Sequence, residues 1–133
     1  MKLPHASVLL ASLVLATSGA LAGEIQPYDA ATFASLQAAG KPVVLDVYAD
    51  WCPTCKAQAP IVSELMKNPA FRDFTVLRVN YDTQKDVRRE FNVPMQSTLI
   101  VFRGKREVAR SVGDTDSASI EATLRKATLR KAG

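Results

Sequence analysis

Val43-Val44-Leu45-Asp46-Val47-Tyr48-Ala49-Asp50-Trp51-Cys52-Pro53-Thr54-Cys55-Lys56 passes from a continuous apolar run into a closely spaced pair of cysteines. The run 43–48 is β-branched and apolar at successive positions, which suits a central strand buried on both faces. Pro53 fits the first turn of a helix. The cysteines therefore lie where a strand hands over to a helix, and they are the only two in the chain. Such a pair either cycles between dithiol and disulfide or supplies half of a metal site. Structural stapling is a poor use, because closing so short a loop removes little entropy from the unfolded chain.

Redox chemistry is the leading reading. A thiolate, not a thiol, attacks a disulfide, and an ordinary cysteine with a pKa of about 8.5 is mostly protonated at neutral pH. Cys52 at a helix amino terminus gains from the unpaired N–H groups and the helix dipole. Cys52 is thus expected to attack, and Cys55, one turn further in and less exposed, to resolve the mixed disulfide. Lys56 adds positive charge or simply faces solvent. Asp46 is the anomaly of the strand, since a carboxylate among apolar residues must be paired, hydrated or neutral. Near the carboxy end of the strand it is expected beneath the motif with a raised pKa, as proton acceptor from Cys55. The alternative is an Asp satisfied by local hydrogen bonds or by a Lys.

Working outward, Asp29 caps a helix through Phe33 and Leu36 that Gly40 ends. The helix opened by Pro53 runs to about Met66, bent by Pro60 and stopped by Asn68-Pro69. Residues 74–80 read as a second interior strand and 84–91 as a short polar helix. Residues 98–102 and 107–112 form a hairpin around Gly104-Lys105. A last helix starts near Asp116-Ser117, with Ile120, Thr123, Leu124 and Ala127 on one stripe. With a short first strand near Ile25-Gln26, the order β-α-β-α-β-α-β-β-α implies an α/β fold: a mixed central sheet flanked by helices, with right-handed crossovers and a closing antiparallel hairpin. The tandem Ala-Thr-Leu-Arg-Lys repeat begins at Ala122 and again at Ala127. Its second copy, about 127–133, reads as a solvated basic tail.

The chain opens with Met1-Lys2, an uncharged apolar run over 6–16 and Ala20-Leu21-Ala22 before Gly23. This layout is that of a secretory signal peptide over 1–22, with an uncleaved anchor as the alternative. The expected address is periplasmic. Residues 23–133, about 110 of the 133, are the size of one compact domain. A net charge of +4 that includes Lys2, with scattered positive residues, excludes a nucleic-acid footprint. The only histidine, His5, falls in the leader. The domain therefore lacks Ser-His or Cys-His catalysis and histidine-ligated zinc.

These residues carry a resemblance to the thioredoxin-fold thiol–disulfide oxidoreductases over about 24–126. The stretch 44–56 is similar to the family's active-site strand and helix start, Pro60 to its helix-bending proline, 98–102 to its fourth strand, and Val112-Gly113 to the glycine near its site. Tyr48-Ala49-Asp50-Trp51-Cys52 also resembles the periplasmic catalytic domains of transmembrane thiol reductases. The resemblance implies catalytic Cys52, Cys55 and Asp46, and substrate contacts at Trp51, Pro53, Thr54, Gln96, Ser97 and Gly113, with Lys56 modulating. It implies no cofactor and no bound metal. Implied partners are disulfide-containing periplasmic proteins or apocytochromes, and a membrane thiol reductase as electron donor to a monomer.

One departure stands out. Ser97 occupies the place of the family's cis-proline, in Pro94-Met95-Gln96-Ser97-Thr98. A cis bond before a non-proline costs about 2.5–4 kcal/mol, so a trans Gln96–Ser97 bond is expected. The departure bears on substrate docking and on metal exclusion. Pro53-Thr54 contains no charge that would further stabilise a thiolate, which favours a reductase. A disulfide-forming oxidase and a metal or iron–sulfur module, with four thiolates shared by two chains, are the alternatives.

Overall fold

Apart from Met1, the computed structural model describes residues 22–128. The expected leader up to residue 21 and the repeat beyond Thr128 lie outside the described residues. No helix among the described residues is long and apolar enough to cross a membrane.

The elements follow the expected order. They are β1 (Glu24–Pro27), α1 (Ala30–Ala38), β2 (Pro42–Tyr48), α2 (Pro53–Lys67), a 3-10 turn (Pro69–Phe71), β3 (Thr75–Asn80), α3 (Lys85–Glu90), β4 (Thr98–Arg103), β5 (Arg106–Val112) and α4 (Ser117–Arg125). Asp29 caps α1 by accepting from the Thr32 N–H at 2.8 Å. Gly40, at φ +69°, turns the chain out of that helix into β2 in a conformation that suits glycine. Asp116 caps α4 in the same way, through the Ser119 N–H at 2.8 Å. Pro60 lies inside α2, as expected.

The five strands form one sheet in the order β1-β3-β2-β4-β5. Strands β1, β3 and β2 are parallel, while β4 runs antiparallel to β2 and β5 antiparallel to β4. This is the mixed sheet of the thioredoxin fold. Successive residues of β2 point to opposite faces. Val43, Leu45 and Val47 pack with Phe33 of α1 and Phe102, whereas Val44 packs with Val62 of α2 and Ile120 and Leu124 of α4. Asp46 shares the parity of Val44, so its carboxyl is directed to the face covered by α2.

Ala127, read both as the last member of the final helix's stripe and as the start of the tail, belongs to the stripe: it is fully buried, and its carbonyl accepts from Arg103 Nη1 at 2.8 Å. Ala127 continues the stripe of Ile120 and Leu124, because spacings of 3, 4 and 7 residues stay on one helical face.

Candidate active site

Cys52 is the N-cap of α2 with extended backbone (φ −85°, ψ 111°), and Pro53 takes the first helical position. The Cys55 N–H donates to Cys52 Sγ at 3.1 Å, so a backbone donor of the first turn points at the sulfur. The two cysteines form a disulfide with their Cα atoms 5.3 Å apart.

Their exposure corrects one expectation. Cys52 is 1% exposed and Cys55 5%, so the sulfur expected to be the more open is covered as completely as its partner. The cause is the segment before β4, which lies over both. Ser97 Oγ is 3.2 Å from Cys52 Sγ and 3.0 Å from Cys55 Sγ. Ser97 is itself buried, in the left-handed region at φ +59°. Its N–H donates to the Val47 carbonyl at 2.8 Å, and its carbonyl accepts from the Gly113 N–H at 2.9 Å. The Gln96–Ser97 bond is trans, as expected.

Around this centre, Trp51 stands exposed, with its Nε1–H donating to Asp82 Oδ2 at 2.9 Å and its ring edge-on to Tyr81. The Tyr81 hydroxyl donates to the Pro94 carbonyl at 3.0 Å, which ties the residues after β3 to the Ser97 loop. Gly113, at φ +69°, lies beside Ser97 through its own N–H. Pro53 is exposed and Thr54 half-buried on the first turn, while Gln96 is half-buried with no side-chain hydrogen bond to the cysteines. A cleft of about 310 Å³ opens on the other side, lined by Tyr48, Cys55, Lys56 and Arg78 among others. Among the described residues no group of three or more His, Cys, Asp or Glu side chains is placed to hold a metal ion.

Asp46 is 5% exposed, and its partner is not a Lys. Arg78, its register neighbour on β3, donates from Nε to Asp46 Oδ2 at 3.3 Å and lays its guanidinium 3.8 Å from the Tyr48 ring centroid. Burial pushes the Asp46 carboxyl above its ordinary range, and the Arg78 charge and hydrogen bond only partly oppose this.

The geometry has clear relatives. The Thioredoxin family model matches residues 24–126. The chain is 34% identical over 96 residues to thioredoxin of Mycobacterium tuberculosis (strain ATCC 25618 / H37Rv), covering 72% of this chain and 82% of that protein. This chain belongs to the thioredoxin family. It is a thioredoxin-type dithiol–disulfide oxidoreductase with Cys52 and Cys55 as its pair. It is also similar to Trxlp from Edwardsiella tarda EIB202, at 47% identity and a TM-score of 0.73, covering 77% of this chain and 97% of that one. A further match, bifunctional thioredoxin reductase/thioredoxin of Mycobacterium leprae, is 35% identical over 96 residues; it covers 72% of this chain and 21% of that longer protein.

Two side chains of this thioredoxin domain were not anticipated. Gln58, one turn beyond Cys55, is buried, and its Nε2 donates to the Asp114 carbonyl at 2.9 Å, fastening the Gly113 loop to α2. A signal for it exists in the spacing, since positions 55, 58, 62 and 65 form one helical stripe in which a glutamine is out of place. Arg78 is the second, a cation set between the apolar residues Leu77 and Val79 of the strand Thr75–Asn80. An acid and a base at matching depth in two adjacent strands are the signal that pairs it with Asp46.

Proposed function

We propose that this thioredoxin-family protein acts in the periplasm as a reductase of protein disulfides, with secreted proteins or apocytochromes as substrates and a membrane thiol reductase as its electron donor. The single observation that carries the reading is the Cys52–Cys55 disulfide at the start of α2, with a backbone N–H directed at the Cys52 sulfur. In each cycle the Cys52 thiolate attacks one sulfur of a substrate disulfide. That S–S bond breaks, a Cys52–substrate bond forms, and the released substrate thiolate takes a proton from solvent. Cys55 then gives up its proton and attacks Cys52 Sγ. The intramolecular disulfide forms, and the second substrate sulfur leaves and is protonated. Two electrons pass from the cysteine pair to the substrate, and a dithiol donor returns them.

Asp46 is the acceptor of the Cys55 proton in this scheme. Burial raises its pKa, the direction that favours holding a proton, and its partner Arg78 lines the cleft that also reaches Cys55. Trp51, Pro53, Thr54 and Met95 present the rim against which a substrate segment lies, with Gln96, Ser97 and Gly113 behind it. Lys56, exposed at the cleft, modulates the field around Cys55.

The extracytoplasmic address rests on the leader pattern ending at Ala22, next to Gly23. The Gly23 N–H donates to the Met66 carbonyl at 2.8 Å, so the residue that cleavage would leave first is itself held in the fold. Direction is supported by the uncharged Pro53-Thr54 dipeptide. Titration of the pair against glutathione tests it: a potential near about −270 mV is expected, and one near about −120 mV, typical of strong oxidants, sinks the reductase reading. Replacing Cys55 with Ser in cells should trap substrates on Cys52 as mixed disulfides, with periplasmic proteins among them.

A further inference from the structure

We infer that the Ser97 hydroxyl is a catalytic group of the redox pair: in the dithiol state it donates a hydrogen bond to the Cys52 thiolate, and it hands that bond to the Cys55 sulfur as the mixed disulfide resolves. This rests on the reading that Cys52 attacks and Cys55 resolves.

The argument begins with burial. A thiolate deprived of water is raised in energy unless fixed donors replace the water. Cys52 is 1% exposed, so solvent supplies little of that help. One donor is the Cys55 N–H, at 3.1 Å on the helix side. Ser97 Oγ, at 3.2 Å, comes from the strand side and is a second, independent one. The rest of Ser97 is already committed, its N–H to Val47 and its carbonyl to Gly113. Only the hydroxyl is free to serve the chemistry.

The hydroxyl's partners make the same point. A buried O–H needs an acceptor, and the two cysteine sulfurs are the only partners Ser97 Oγ has among the described residues. A disulfide sulfur is a weak acceptor, whereas a thiolate is a charged one that roughly doubles the strength of such a bond. The hydroxyl is therefore better satisfied when the pair is reduced. Its single proton serves one sulfur at a time. With Oγ nearly equidistant from both sulfurs, at 3.2 and 3.0 Å, a rotation about one bond moves the donor from Cys52 to Cys55. Ser97 keeps its proton throughout, and it neither gains nor loses electrons. Its backbone, at φ +59°, is held where L side chains are rarely found, as is common where a site needs a particular atom in place.

The test compares the full protein with Ser97→Ala and Ser97→Gly. The reduced proteins are alkylated with iodoacetamide across pH, with modification of Cys52 followed by peptide mass. Both variants should raise the apparent Cys52 pKa by about one unit, leaving about tenfold less thiolate at pH values below it. At a pH where Cys52 is ionised throughout, the same tenfold appears as a potential about 30 mV lower. The glycine variant tolerates positive φ, so it carries the test should the alanine variant fold poorly. Unchanged Cys52 pKa values in the folded variants overturn the inference. So does a rise with Ala that Gly does not share, which would trace the effect to the backbone. Reduction of insulin disulfides by the unaltered protein is measured alongside. Its absence overturns the reductase reading, while the alkylation profiles still decide whether the hydroxyl serves the thiolate.

Discussion

Replacing Asp46 by Asn should stabilise the folded protein at neutral pH, and the gain should disappear in acid. Asp46 is 5% exposed on the face covered by α2, and its ordinary pKa is 3.8. Burial raises the folded-state pKa above that value, and Arg78, whose side chain is 34% exposed and hydrated, recovers only part of the penalty. Between the unfolded and folded pKa values the folded protein holds a proton that the unfolded chain has released. Stability therefore falls as pH rises through that interval and stays low above it. Asn has the same shape and no charge, so it removes the dependence. Each pH unit separating the two pKa values is worth about 1.4 kcal/mol, or about 6 °C in Tm for a domain of this size. Melting of the oxidised proteins from about pH 3.5 to pH 8 checks this. The two curves should meet at the acid end and separate as pH rises, with Asp46→Asn the more stable. A gap independent of pH, or a less stable variant at pH 7, would refute burial as the dominant influence on Asp46.

The same substitution should lengthen the life of the mixed disulfide by at least about 100-fold, the usual contribution of a positioned base. The pH-dependent alkylation rate of Cys52 should change much less, as quenched-flow trapping can show. Gly113→Ala meets no atom within 4 Å but forces a side chain to φ +69°. It should cost about 1–2 kcal/mol in denaturant melts. Gln58→Leu removes the donor to the Asp114 carbonyl and should cost about 1–3 kcal/mol, with faster amide exchange around Gly113. Leu124→Ala opens a cavity among Ile120 and Phe71 and should cost about 2–5 kcal/mol, leaving the redox potential of the pair unchanged.

How much of this was legible in the sequence depends on whether a property is local. The strand over 43–48, the helix opened by Pro53 and the caps at Asp29 and Asp116 are set by neighbouring residues, and their signals carry through to the fold. Burial of Asp46 was legible for the same reason, since an acid within an apolar strand has nowhere else to go. Its partner was not. Arg78 lies 32 positions away, and only the register of β2 against β3 brings the two together. The cover over Cys52 was hidden in the same way, because it depends on where the chain entering β4 crosses the helix start. Ser97 stood out as a substitution of the expected proline. What its hydroxyl touches became visible only once β4 was paired with β2.

The net redox tendency of the pair is decided by opposing influences of unequal size. Burial of Cys52 disfavours the thiolate and so favours the disulfide, making the reduced pair the stronger reductant. The Cys55 N–H and the Ser97 hydroxyl push the other way. A tenfold effect from one donor is about 30 mV, whereas about 150 mV separates a typical thioredoxin from the strongest oxidants. One hydroxyl cannot cross that interval. To cross it would take something on the scale of a full positive charge beside the thiolate. Pro53 and Thr54 supply none, the domain contains no histidine, and Lys56 sits exposed, where solvent screens it. The Ser97 hydroxyl thus adjusts the rate at which Cys52 attacks while leaving the direction of electron flow to the burial of the pair.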